Sequence, residues 1–211
     1  MTNSPGAKDK QASVAPHIIR IFPQGLAKLI NKIKRGIAEL GWINFIFYSA
    51  DRLLVALSGG RCRIFHYLLV AQPVADEPLL PPHRGANIAV REIHPGDPII
   101  PNTPRTQEMI QDRFQQGSRC FVATRNGEFT GYIWLSYDSH HEDEVRARYR
   151  LPGNGKTVWD FDVYVVPAQR LGFTFLRLWD AVYEQLRSQQ VQWLISRIGA
   201  SNLASLSAHK R

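Results

Sequence analysis

The stretch 158–188 constrains the fold of this chain more than any other. Residues 158–166 are dense in aromatic and β-branched side chains, the composition of a strand. Beyond Pro167 the spacing predicts a helix over 168–188, in which Leu176, Trp179, Val182, Tyr183 and Leu186 form one apolar stripe. That stripe needs a sheet to cover, and a further strand is predicted at 193–198. Upstream, strands are expected at 88–93, 120–124 and 130–135, the last two about an Arg125-Asn126-Gly127 turn, with a helix at 106–116. A long polar loop follows residue 135, and a last helix is expected from Asn202 to the end. The order is that of an α+β domain without internal repeats.

Ahead of this domain the pattern changes. Leu26, Leu29, Ile30, Ile33, Ile37 and Leu40 recur at helical spacing while Lys28, Lys32, Lys34 and Arg35 occupy other faces, which predicts a basic amphipathic helix. A second helix is expected over 43–57, stopped by Ser58-Gly59-Gly60, so that the two form a hairpin. The aromatic run 63–70 suits a strand, and residues 75–86 with Pro81-Pro82 read as a linker. The expected organisation is a disordered tail at 1–16, a helical segment with a strand at 17–74, the linker at 75–86 and the α+β domain at 87–211. Asp51 and Arg52 interrupt the most apolar run, 42–57, which falls short of the roughly 20 apolar residues that span a bilayer.

With 211 residues and 44% hydrophobic content the chain can fill one core. A net charge of +8 and a pI near 9.8 favour an anionic partner: a nucleotide cofactor, a membrane surface, nucleic acid or an acidic glycan. The basic residues are scattered and accompany no nucleic-acid motif, so nucleic acid ranks last. Two cysteines, Cys62 and Cys120, without metal-ligand spacing, indicate a reduced cytoplasmic chain with no structural disulfide and no metal. The adjacent His140, His141, Glu142, Asp143 and Glu144 read as a solvated loop, since neighbouring side chains seldom converge on one ion.

The sequence Val165-Val166-Pro167-Ala168-Gln169-Arg170-Leu171-Gly172, placed between strand and helix, resembles the strand end and phosphate-binding turn of the GNAT (N-acetyltransferase) superfamily. The resemblance extends over roughly 87–211. Phe173 and Phe175 stand where the family keeps small residues, and the family normally continues through one or two more strands after its last helix, so truncation or a differently completed sheet is expected. It implies a GNAT-like mixed, mainly antiparallel sheet flanked by helices and preceded by the N-terminal helical segment. It also implies an acyl-CoA co-substrate, acetyl-CoA or another, and an amine acceptor. Backbone amides at such a turn cradle a pyrophosphate, with Arg170 and Gly172 contributing. Val163 and Val165 would offer backbone groups to the acyl-pantetheine arm, and Asn202 corresponds to an asparagine that contacts the cofactor; Asn202 also suits a helix N-cap. His209 stands where the family carries the tyrosine that protonates the departing thiolate, a role a histidine can fill; a surface position near the terminus is the other reading.

Strict alternation along 158–166 places Asp160, Asp162 and Tyr164 on one face. Either aspartate could take a proton from the amine or orient it, with mutual repulsion raising one pKa. The structural alternative pairs them across strands with Arg146, Arg148 and Arg150. Two functions follow: an acyl-CoA-dependent N-acyltransferase using direct transfer, or a non-catalytic GNAT-like module held at a partner protein or membrane through the basic helix.

Overall fold

The computed structural model describes residues 22–208, and the chain divides into two compact units after His66. The tail expected at 1–16 lies outside the described residues. In the first unit, α1 (Phe22–Leu40) and α2 (Trp42–Ser58) are the helices the periodicity predicts. They meet closely where Gly36 faces the Phe45 ring, a spot with no room for a Cβ. Gly59 ends α2 in the left-handed conformation, φ 62°, with its N–H on the Val55 carbonyl, a position that favours glycine. Asp51 of α2 is buried and accepts hydrogen bonds from Arg63 Nη2 (3.1 Å) and the Ile64 amide (2.9 Å), which folds the chain after α2 back against it.

The second unit contains β1 (Tyr67–Pro73), β2 (Ile88–Ile93), α3 (Gln107–Gln115), β3 (Arg119–Arg125), β4 (Glu128–Ser136), β5 (Ser139–His141), β6 (Arg148–Arg150), β7 (Thr157–Val165), α4 (Thr174–Ser188), β8 (Trp193–Gly199) and α5 (Leu203–Ala208). Six strands form a sheet in the order β1-β8-β7-β4-β3-β2, antiparallel at every neighbour except β7 and β8. A parallel pair needs a crossover, and α4 supplies it. Asn126 (φ 53°) and Gly127 (φ 83°) make the β3–β4 turn, the left-handed pair that a tight hairpin requires. The fold is thus an α+β, mainly antiparallel sheet with helices on both faces.

Leu178, Trp179, Val182, Tyr183 and Leu186 of α4 are buried against Phe121, Ile133, Leu135, Val158 and Leu194 on one face of the sheet. Leu178 takes the core position expected of Leu176. On the opposite face Ile110 of α3 and the loop residues Ile99 and Ile100 cover Cys120, Val122, Tyr132 and Trp134.

Four expectations differ from the structure. The early strand covers Tyr67–Pro73 rather than 63–70 and pairs along its whole length with β8, so residues 67–86 lie within the second unit, not in a separate segment and linker. The β8 edge facing away from β7 is thereby taken by β1. The helix expected from residue 168 begins at Thr174, because Pro167–Gln169 form a 3-10 turn followed by a further turn. The polar loop contains the β5–β6 hairpin.

Candidate functional site

β7 and β8 are paired only from Thr157↔Trp193 to Asp160↔Ser196. Beyond that point β7 stays with β4 up to Gly131↔Val165, and β8 stays with β1 up to Tyr67↔Gly199. The two central strands therefore part, and the wedge between them is a cleft of about 670 Å³. Asp160 and Ser196 stand at its apex, with Val163, Val165, Arg170 and Asn202 along its walls.

The backbone of the wedge is oriented by two hydrogen bonds. The Val166 amide donates to the Thr130 carbonyl at 2.9 Å, so Val166 turns its polar groups toward β4. The Val165 carbonyl accepts from Arg170 Nε at 3.1 Å on the other side. Because N–H and C=O of one strand residue point the same way and alternate along the chain, Val163 and Val165 both direct their backbone groups away from β4. Over this stretch no strand among the described residues stands opposite them. These are the two valines at which sequence reasoning placed backbone contacts.

Asp160 and Asp162 do not share a face. The β4–β7 register passes from Trp134↔Asp162 to Leu135↔Asp160, leaving Phe161 as a bulge with no partner. One extra residue reverses the alternation beyond it. Asp160 points toward the α4 side, where it meets the Ser196 hydroxyl and lies near Tyr183. Asp162 points to the opposite side, toward α3.

Their environments separate them further. Asp160 is 4% exposed, and burial pushes its pKa from the ordinary 3.8 up to about 7, against the smaller opposing effects of its own amide and Ser196. Burial would also raise Asp162, but hydrogen bonds and charges from Arg105 and Arg113 outweigh it and hold that carboxyl below the usual range. Arg105 donates through Nε and Nη2 at 2.8 and 3.0 Å, Arg113 through Nη1 at 2.8 Å and the Tyr132 hydroxyl at 2.9 Å. Asp162 is thus a saturated structural anion. Neither repulsion between the aspartates nor pairing with Arg146, Arg148 and Arg150 describes the site; Arg148 instead donates to Ser139 at 3.0 and 3.2 Å.

The raised value at Asp160 sets a stability test. The neutral carboxyl is the form the folded chain favours, so its contribution is fully present below about pH 4 and is lost as pH rises through about 7. Asp160→Asn, which keeps the shape and cannot ionise, is expected to match the wild type in thermal stability at pH 4 and to exceed it at pH 8. Three pKa units correspond to about 4 kcal/mol as an upper bound. Equal melting curves at pH 8 would show that the carboxylate is not penalised by its surroundings.

The phosphate-turn residues are only partly arranged as expected. The amides of Gln169, Arg170 and Gly172 donate to the carbonyls of Val166, Pro167 and Gln169, so the Gly172 N–H is engaged inside the turn and does not face a ligand. The available donors are the first-turn amides of α4, which have no acceptor within the helix, and Phe173 gives no side-chain cap. Phe175 and Arg170 line the cleft beside them. Asn202 Oδ1 accepts from the Ser205 amide at 3.1 Å, so Asn202 caps α5 while also lining the cleft. His209 lies outside the described residues.

The run 140–144 is only partly solvated: His141, Asp143 and Glu144 are exposed, but each acidic side chain has a cationic partner. His140 is buried, with its ring stacked on Phe161 at 4.0 Å between centroids. Glu142 pairs with Arg197, and Asp143 accepts from Arg113 Nη2 at 2.5 Å. The Glu144 carboxylate accepts from the Tyr67 hydroxyl at 2.9 Å and from Arg197 at 3.1 Å, while the Arg197 guanidinium lies 3.7 Å from the centre of the Tyr67 ring. Among the described residues no group of three or more His, Cys, Asp or Glu side chains is placed to hold a metal ion. Sequence reasoning missed Ser196, Arg105, Arg113, Tyr67 and Arg197. Ser196 alone left a signal: a hydroxyl between Leu194 and Ile198 on the apolar face of its strand.

No family model matches the sequence, and no curated protein matches it. Solved structures do. A GNAT family acetyltransferase from Elizabethkingia anophelis, with acetyl-CoA bound, is similar at 16% identity and a TM-score of 0.45, over 59% of this chain and 73% of that one. The ribosomal-protein-alanine N-acetyltransferase of Brucella melitensis is similar at 22% identity and a TM-score of 0.40, over 58% and 81%. An aminoglycoside acetyltransferase from an uncultured soil metagenomic sample, solved with trehalose, is similar at 9% identity and a TM-score of 0.42, over 60% and 87%. Over about 60% of its length, then, this chain is similar to acetyltransferase structures that include GNAT-family members.

Proposed function

We propose that the chain is an acyl-CoA-dependent N-acyltransferase that transfers an acyl group directly to an amine held in the β7–β8 wedge. The observation that carries this reading is the juxtaposition, in one cleft, of strand backbone with no strand opposite it among the described residues and a buried carboxyl whose pKa is near neutral. An acyl-pantetheine arm is a chain of amides and a thioester, and it can occupy the place a seventh strand segment would fill. The Val163 and Val165 groups would pair with it, with an N–H directed at the thioester oxygen as negative charge gathers there. The diphosphate would lie at the α4 N-terminus, where first-turn amides and Arg170 supply positive potential.

The amine attacks the thioester carbon; the C–N bond forms, the C–S bond breaks, and the thiolate leaves and takes a proton from water. A protonated amine has no lone pair to attack with, so its proton must go elsewhere, directly or through water. Asp160 is the suited acceptor because its carboxyl titrates near neutrality, whereas Asp162 is committed to two arginines. Holding amine and thioester together supplies much of the remaining acceleration, and no covalent enzyme intermediate is required.

Titration calorimetry with acetyl-CoA, longer acyl-CoAs and free CoA tests the binding half of this reading. Saturable binding is expected, and Arg170→Gln is expected to weaken it by about tenfold, the size of one charge-assisted contact to phosphate. Absence of binding by any of these thioesters at millimolar concentration would refute it. A second reading, a module that binds the thioester without turnover, draws on the turn amides of Gln169, Arg170 and Gly172 being already engaged. Undiminished binding with no thiol release across a broad amine panel would favour it.

A further inference from the structure

We propose that the helical hairpin of the first unit is a docking element for an anionic lipid surface, with α1 lying in the plane of the interface. Leu26, Leu29, Ile30, Ile33 and Ile37 form one sector of α1, and all are exposed, Leu26 at 59% and Leu29 at 54%. α2 covers little of that sector, since the two helices approach each other at Gly36 and Phe45. Trp42, at the start of α2, is 65% exposed.

The charge on α1 is arranged about this sector. Successive helix residues are about 100° apart, so Lys32 and Lys34 stand on either flank of Ile33, while Lys28 and Arg35 occupy the opposite face. Four basic residues face one acid, Glu39, which Arg35 holds at 2.7 Å. An apolar sector flanked by lysines is complementary to acyl chains bordered by anionic headgroups, with the lysine stems lying along the apolar surface and the ammonium groups reaching outward. Neither helix is long and apolar enough to cross a membrane, so the contact is peripheral. A protein groove would cover the sector equally well, but it would not explain cations on both flanks.

Co-sedimentation of the full chain with phosphatidylcholine vesicles, and with vesicles of phosphatidylcholine and phosphatidylglycerol at about 70:30, tests this. Binding to the anionic vesicles is expected to be at least about tenfold tighter and to weaken as salt is raised. Lys32→Gln with Lys34→Gln is expected to reduce it about 25-fold, about fivefold per charge. Leu29→Ser with Ile33→Ser is expected to abolish it while the melting temperature stays unchanged, since both side chains are exposed. Equal affinity for the two vesicle types, or none for either, would overturn the proposal. So would light scattering that finds a dimer which the Leu29→Ser, Ile33→Ser variant converts to monomer, because the sector would then belong to a second copy of the chain.

Discussion

Asp160→Asn is expected to lower kcat by about 10²–10⁴, the usual contribution of a positioned general base, with any amine that the wild type acylates. Acetyl-CoA affinity should stay within about threefold, because the carboxyl stands at the apex of the wedge while the proposed thioester contacts are backbone groups of Val163 and Val165. In the wild type, kcat should rise with pH through about 7 and then level, as the carboxyl loses its proton and becomes able to accept one. The variant should lose that step. Stopped assays of thiol release across pH 5–9 measure all three. Loss of activity would accompany a gain in stability at pH 8, a pairing typical of a site whose buried charge is costly to the fold. A variant that keeps full activity, with its pH dependence intact, would remove Asp160 from the chemistry.

Arg113→Ala is expected to destabilise the second unit by about 3–5 kcal/mol, the cost of removing one member of a buried ion network. Arg113 is 3% exposed, bridges Asp162 and Asp143, and lies over the rings of Trp134 and Phe161 at 5.3 and 5.1 Å. Its loss leaves Asp162 with Arg105 and Tyr132 only and leaves the two rings facing a cavity. For a chain of this size the melting temperature should fall by about 10 °C or more. Arg113→Met with Asp162→Asn, which removes the opposing charges together and keeps the volume, should recover more than half of the loss. Chemical denaturation of the three proteins checks this; a single-variant cost below about 1 kcal/mol would show that the network is solvated rather than buried. Asp162→Asn alone should preserve the pH step in kcat, which separates the two aspartates by function.

The main elements beyond residue 87, apart from the β5–β6 hairpin and the exact start of α4, were legible because each carries its own period: the α4 stripe, the β3 and β4 alternation, and the Asn126-Gly127 turn are local signals that the packing reinforces. The membership of β1 was not, because an edge strand with Leu68 and Leu69 exposed is defined by its pairing with β8, more than a hundred residues away. The bulge at Phe161 was equally hidden. An inserted residue changes which face each later side chain takes, yet leaves the composition of the strand unaltered. From the sequence, Asp160 and Asp162 looked equivalent for that reason, and the partners that distinguish them, Ser196 on one face and Arg105 and Arg113 on the other, come from β8, from α3 and from the bend before it, all distant in the chain. The ion pairs made by Glu142, Asp143 and Glu144 were hidden because the cations that engage them, Arg113 and Arg197, lie on α3 and β8.

The wedge between β7 and β8 is proposed to hold an acyl-thioester along the backbone of Val163 and Val165. Amide hydrogen exchange of the full chain, with and without saturating acetyl-CoA, tests it most directly. Slowed exchange is expected at Val163, Val165 and the first-turn amides of α4, with β2 and β3 unchanged. Slowed exchange confined to other elements, or no change at any of these amides under conditions where the thioester binds, would contradict it.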